Sequence, residues 1–234
     1  MDHERVLARA YAQAIAYLRS VDDRPVARPE AAASLLNVAG AALPDEPQDA
    51  VQVIDGLVAA LEPGLVAGAG PRYFGFVTGG ALPVAVAADW LASTWDQNVA
   101  LHVMSPAMAA VEETAARWIL EILDLPRDAS VGFTTGAHSA NVVGLASARH
   151  EVLRHHGWDV EARGLHGAPE VTVFAGAEAH ASIFAACRLI GLGADRVVRV
   201  EADAQGRMNA ASLERALVDV SGPAIVCAQA GNVN

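Results

Sequence analysis

Val6, Leu7, Ala10, Tyr11, Ala14, Ile15 and Leu18 recur at three- and four-residue intervals, which predicts one apolar stripe along an opening amphipathic helix. A second helix is expected after Pro29, and a third from Pro47 through Val51, Ile54, Val58 and Leu61, before a Pro/Gly-rich stretch between Glu62 and Pro71 breaks the pattern. Residues 1–70 therefore read as a helical arm, and 71–234 as the domain that follows it. From Arg72 the texture changes to the aromatic run RYFGFVTGG, followed by helical patterns over Pro83 to Trp95 and Ala107 to Leu123. Past Ser130, apolar runs alternate with amphipathic helices. Val131 to Thr134, Val171 to Ala175, Arg196 to Val200 and Ala224 to Gln229 read as strands. Such alternation predicts an α/β fold with a mainly parallel sheet. The last strand runs into Gly231-Asn232-Val233-Asn234, where such a sheet normally continues, so the reading is of an incomplete unit completed by a companion polypeptide or a continuation.

Composition narrows the function classes. The 234 residues are 53% hydrophobic and 18% charged, enough apolar content for a sizeable core. A formal net charge of -11 with no run of arginines argues against nucleic acid as a partner, because counterion release needs clustered cations. All 16 basic residues counted as lysine plus arginine are arginine, so chemistry that needs a lysine amine must come from outside these residues. Cys187 and Cys227 stand alone in apolar surroundings and read as small core residues. Charges at Asp2, Glu4, Arg5, Arg9 and Arg19 interrupt any signal-peptide core, and no apolar run reaches membrane-spanning length. The expected compartment is the cytoplasm, with no membrane partner.

The candidate chemistry lies where strands give way to helices. In VGFTTGAHSANVVGLASAR, from Val131 to Arg149, a Thr-Thr-Gly-Ala turn opens a helix whose first amides are free to bind a phosphate. Gly136 permits close backbone approach, and the amides around Ala137 and His138 are the donors. An ordinary turn capped by Thr135 or Ser139 explains the same residues. His180, in AEAHASIFAACRLIGLG, falls at the end of the next strand, where its ring reaches the same edge. The competing reading is a partly buried histidine that merely caps the following helix. His150, His155 and His156 lack the i, i+4 pair of a helical metal site, there is no CxxC motif, and no metal is expected. Gly64 to Gly70 lacks the dinucleotide-binding spacing. Arg72 to Gly80 suits either a substrate channel or a core strand and turn, and Trp95 to Asn98 either a partner surface or an exposed helix end.

Taken together, RYFGFVTGG, AADWLASTWDQN, MSPAMAAVEETAARWILEIL, GFTTGAHSANVVGLASAR and AHASIFAACRLIGLG resemble, in order, the group II pyridoxal-phosphate-dependent amino-acid decarboxylases. The resemblance implies the large domain of the aspartate-aminotransferase type, with 71–234 as its N-terminal part and the helical arm exchanged in a homodimer. It implies pyridoxal 5'-phosphate as cofactor, its phosphate on Gly136, Ala137 and His138, its ring beneath His180, and Asn232 close by. His138 departs from the hydroxyl residue of many relatives. By the same resemblance Phe76, Val77 and Thr78 border the substrate, and Asn98 and Ala100 reach it across the dimer interface. The family's Schiff-base lysine and the aspartate that pairs with the pyridine nitrogen both correspond to positions after Asn234. The implied reaction is decarboxylation of an L-amino acid by the completed assembly. A noncatalytic interaction fragment or pseudoenzyme, and a related aldehyde synthase or lyase, are the alternative readings.

Overall fold

The computed structural model describes residues 2–26, 35 and 42–231. The helix expected after Pro29 falls, apart from Leu35, outside them. The chain divides into two compact units, Met1–Asn98 and Val99–Asn234.

In the first unit, α1 (His3–Ser20) starts where the Asp2 carboxylate accepts from the Arg5 amide, and α2 (Ala50–Leu61) where Asp49 accepts from the amides of Val51 and Gln52. Their apolar stripes face each other, while Arg5 pairs with Asp49 and Gln13 donates to Asp55 along the seam. A short 3-10 turn, Glu62–Gly64, ends α2, and Glu62 receives Arg24. Helix α3 (Pro83–Trp95) begins with proline at a position that needs no amide hydrogen. Its Trp90 meets Tyr11 of α1 edge-on, with centroids 6.3 Å apart and planes at 88°.

The second unit opens with α4 (Pro106–Ile122), followed by α5 (Ala137–His155) and the short α6 (Val160–Arg163). Strand β1 (Thr172–Gly176), helix α7 (Ala181–Leu189), β2 (Val198–Val200), α8 (Ala210–Val218) and β3 (Ala224–Cys227) complete it. The described strands form one parallel sheet in the order β2-β1-β3, with Phe174 opposite Val198 on one side and Val226 on the other. Parallel neighbours require crossovers, and α7 and α8 supply them. Val173, Phe174 and Ala175 are all buried, so both faces of β1 are covered, which is why its three central residues are all apolar rather than alternating.

Three of the four expected strands form, β1 shifted by one residue from its apolar run and β2 and β3 each two residues shorter than theirs. The fourth does not: Val131 to Thr134 is irregular, and Phe133 is half exposed. A strand exists only through a laddered neighbour, and this segment has none among the described residues. Cys187 is fully buried, as expected, and burial raises its thiol pKa; Cys227 is pushed up to about 11, first by burial and then by Cys187. Among the described residues no helix is long and apolar enough to cross a membrane.

The core gathers Leu145 and Leu153 of α5, Val173 and Ala175 of β1, Ala186 and Cys187 of α7, and Ile225 of β3. Leu153 has no exposed surface. Leu153→Ala is therefore expected to lower the unfolding free energy by about 3 kcal/mol, whereas Leu189→Ala, on the exposed side of α7, changes it by less than about 0.5 kcal/mol. Urea denaturation measures both; equal effects would contradict the placement of the core.

Candidate functional site

Most described helices satisfy their first amides with a side chain or dispense with one by proline. Asp2, Asp49, Asp159, His180 and Asn209 cap α1, α2, α6, α7 and α8, while α3 and α4 begin with proline. Helix α5 has neither device. Gly136 occupies its N-cap position at φ 147° and ψ 168°, a conformation open essentially to glycine alone. Thr135 and Ser139, the expected capping candidates, lie with their hydroxyl oxygens 3.4 Å from each other, and Thr134 donates to the Gly136 carbonyl. The amides of Ala137, His138 and Ser139 consequently have no hydrogen-bond partner among the described residues.

The electrostatics of that end favour an anion. No acidic residue stands in the first turn of α5, and Arg154 and His155 sit in its last turn, complementing the dipole. Farther along the helix, Arg154 donates to Glu151 at 2.8 and 2.9 Å and holds its carboxyl down at about 2, well away from the turn.

Helix α7 runs beside α5 in the same direction. Asn141 Nδ2 donates to Ser182 Oγ at 2.8 Å near the start of both helices, and Arg149 donates to the Ile190 carbonyl at 2.7 Å near the end of α7. The two N-termini therefore lie side by side and their dipoles reinforce each other. The bond from Asn141 to Ser182 brings the turn at Gly136, Ala137 and His138 to the same edge as His180.

That edge is also the topological switch of the sheet. From the carboxyl end of β1 the chain turns to β2 on one side, then returns past β1 to β3 on the other. Open parallel sheets leave a ligand crevice beyond the strand ends at such a point. His180 sits four residues beyond Gly176 and is exposed. Its Nδ1 accepts from the Ser182 amide at 3.2 Å and lies 2.8 Å from Ser182 Oγ, so the histidine does cap α7. Capping engages one nitrogen at the ring edge and leaves Nε2 without a partner among the described residues.

The remaining sequence-derived positions are distributed over both units. Phe76, Val77, Thr78 and Asn98 belong to the first, Ala100 to the second, and Asn232 lies outside the described residues. Phe76 and Val77 adopt φ of 57° and 51°, left-handed backbone that costs a β-branched residue steric energy, and Phe76 is almost wholly exposed. Thr78 donates to the Gly68 carbonyl at 3.4 Å. No group of three or more metal-ligating side chains occurs among the described residues.

Two site residues escaped the sequence reading, Asn141 and Ser182. Each had a signal: Asn141 is a lone amide five residues past Gly136 in a helix of small and apolar residues, and Ser182 follows His180 at the spacing of an N-cap contact.

The uncapped amides provide what a phosphate dianion requires, so the chemistry of the donor set fits the phosphate of pyridoxal 5'-phosphate. The pyridoxal-dependent decarboxylase conserved domain matches residues 29–234. The human acidic amino acid decarboxylase GADL1 is 27% identical over 165 residues, covering 69% of this chain and 31% of that protein. Among solved structures, Oryza sativa TDC with PLP and tryptamine superposes with a TM-score of 0.82 at 26% identity, over 97% of this chain and 50% of that one. Mouse CSAD gives 0.81 at 22% identity, over 95% and 47%, a likeness of fold. The chain thus spans about half the length of the solved chains, and less of the curated relative. The fold is that of the PLP-dependent decarboxylases, partial in extent, and the family's cofactor is pyridoxal phosphate. Matched over most of its length, the chain belongs to the pyridoxal-dependent decarboxylase family.

Proposed function

We propose that these 234 residues supply the phosphate anchor and the stacking imidazole of an enzyme that decarboxylates an L-amino acid. The observation that carries this reading is the 2.8 Å bond from Asn141 to Ser182, which sets an uncapped helix start beside His180 at the switch point of the sheet. When bound, pyridoxal phosphate supplies an electron sink for the carbon that loses its carboxylate.

The chain's own residues bind and orient. The amides of Ala137, His138 and Ser139 receive the phosphate, with Gly136 holding the turn open for close approach. His180, anchored through Nδ1, offers its ring to the pyridine, and Asn232 belongs near the same ligand. Phe76, Val77, Thr78, Asn98 and Ala100 form the substrate boundary, the last two acting across a homodimer interface. In this reading residues 1–70 are the exchanged arm, 71–234 the N-terminal part of the large domain, and the site of action is the cytoplasm. A polypeptide segment beyond these residues contributes the lysine that the 234 residues do not contain.

Gly136→Ala is expected to weaken pyridoxal phosphate binding about tenfold or more, because the conformation it must keep costs a non-glycine residue about 1–3 kcal/mol. A Cβ there meets nothing within 4 Å, so the loss comes from the backbone and not from a clash. Fluorescence titration with inorganic phosphate as competitor reads it; unchanged affinity would remove the turn from the site. Supplied with its lysine-bearing remainder, the protein is expected to release carbon dioxide from one class in a panel of L-amino acids. His180→Ala should lower that rate about tenfold or more while costing only about 1 kcal/mol of stability as a lost cap. A destabilised variant with unchanged turnover would leave His180 a structural cap.

A further inference from the structure

His180 is held by more than its own helix. The Ser182 amide is a donor that cannot accept, so at 3.2 Å it favours Nδ1 as an acceptor carrying no proton. Ser182 Oγ lies 2.8 Å from the same nitrogen, and with Nδ1 already an acceptor the hydroxyl is the donor. A serine oxygen that gives its proton to His180 has lone pairs left, and Asn141 Nδ2 donates to it at 2.8 Å. Amide, hydroxyl and imidazole thus form one directed chain, each bond polarising the next. The chain crosses from α5 to α7 over 41 residues of sequence, and Asn141 and Ser182 are both partly buried, where such bonds are less exposed to competition from water.

We propose that Asn141 and Ser182 are positioning residues that lock His180 as the neutral Nε2–H tautomer, with its ring plane set by two donors converging on Nδ1. A proton on Nδ1 would meet the Ser182 amide hydrogen and force the Ser182 hydroxyl to turn from donor to acceptor, so the chain opposes that state. The locked ring presents Nε2–H as a directed donor at the carboxyl edge of β1, next to the free amides of α5. This assignment rests on the proposed function only for its catalytic consequence, which is a preoriented ring over the cofactor. The tautomer itself is a property of the protein without cofactor.

The test is long-range nitrogen–proton correlation on the 234-residue protein labelled with nitrogen-15 histidine, above the pH at which the imidazole ionises, with His180 assigned by loss of its signals in His180→Gln. The expected spectrum puts Nδ1 at the unprotonated limit and Nε2 at the protonated limit. Ser182→Ala should move Nδ1 toward the average of the two tautomers, Asn141→Leu should move it less, and Ser182→Thr should restore the original position. Circular dichroism confirms that each variant is folded, and Ser182→Thr keeps the test decisive should Ser182→Ala not fold. A protonated Nδ1 in the unaltered protein, or an Nδ1 signal indifferent to both Ser182→Ala and Asn141→Leu, overturns the proposal. Titration of the same samples with pyridoxal phosphate separates it from the functional reading. Locked tautomer signals that do not respond to the cofactor would leave the positioning chain intact and remove the stacking role, whereas a responding ring with mixed tautomers would do the reverse.

Discussion

A helix that begins without a capping side chain leaves amide hydrogens that only solvent or a ligand can satisfy, and α5 is such a helix. Everything else at the candidate site depends on keeping that start open and correctly placed. Glycine at position 136 lets the chain enter the helix through a conformation closed to other residues. The absence of a first-turn carboxylate leaves the positive end of the dipole unopposed.

The core explains how an open turn is held without its own cap. Leu145 and Leu153 anchor α5 in the core it shares with α7 and β3, and Arg149 and Asn141 tie the two helices at both ends of α7. Burial therefore falls on the middle and far end of α5, and the polar start is left at the surface. His180 illustrates the same economy. The capping contact and the ring's availability are compatible, because one nitrogen serves the helix while the remainder of the imidazole stays exposed. The two readings that the sequence set against each other describe different atoms of one side chain.

Much of this was legible from residue order. Helical spacing located α1 to α4 to within a few residues, since amphipathic stripes and flanking prolines act locally. The run Val171 to Ala175 announced a strand, and its alternation with helices a mainly parallel sheet. The turn at Gly136 was visible because glycine and small residues at a helix start have a local meaning. What stayed hidden depends on partners distant in sequence. The apolar run Val131 to Thr134 looks like a strand, but pairing decides whether it becomes one. The strand order that makes the end of β1 a switch point, and the bond between Asn141 and Ser182, are consequences of packing that no local pattern encodes.

The central claim is that the anionic end of pyridoxal phosphate sits on the first amides of α5 with its ring at His180. Amide and imidazole nitrogen shifts followed during cofactor addition test it directly. The account predicts concerted movement of the Ala137, His138 and Ser139 amides together with the His180 ring. Movement concentrated elsewhere, for instance at the glycine-rich stretch from Gly64 to Gly70, with those four residues unmoved, would contradict it.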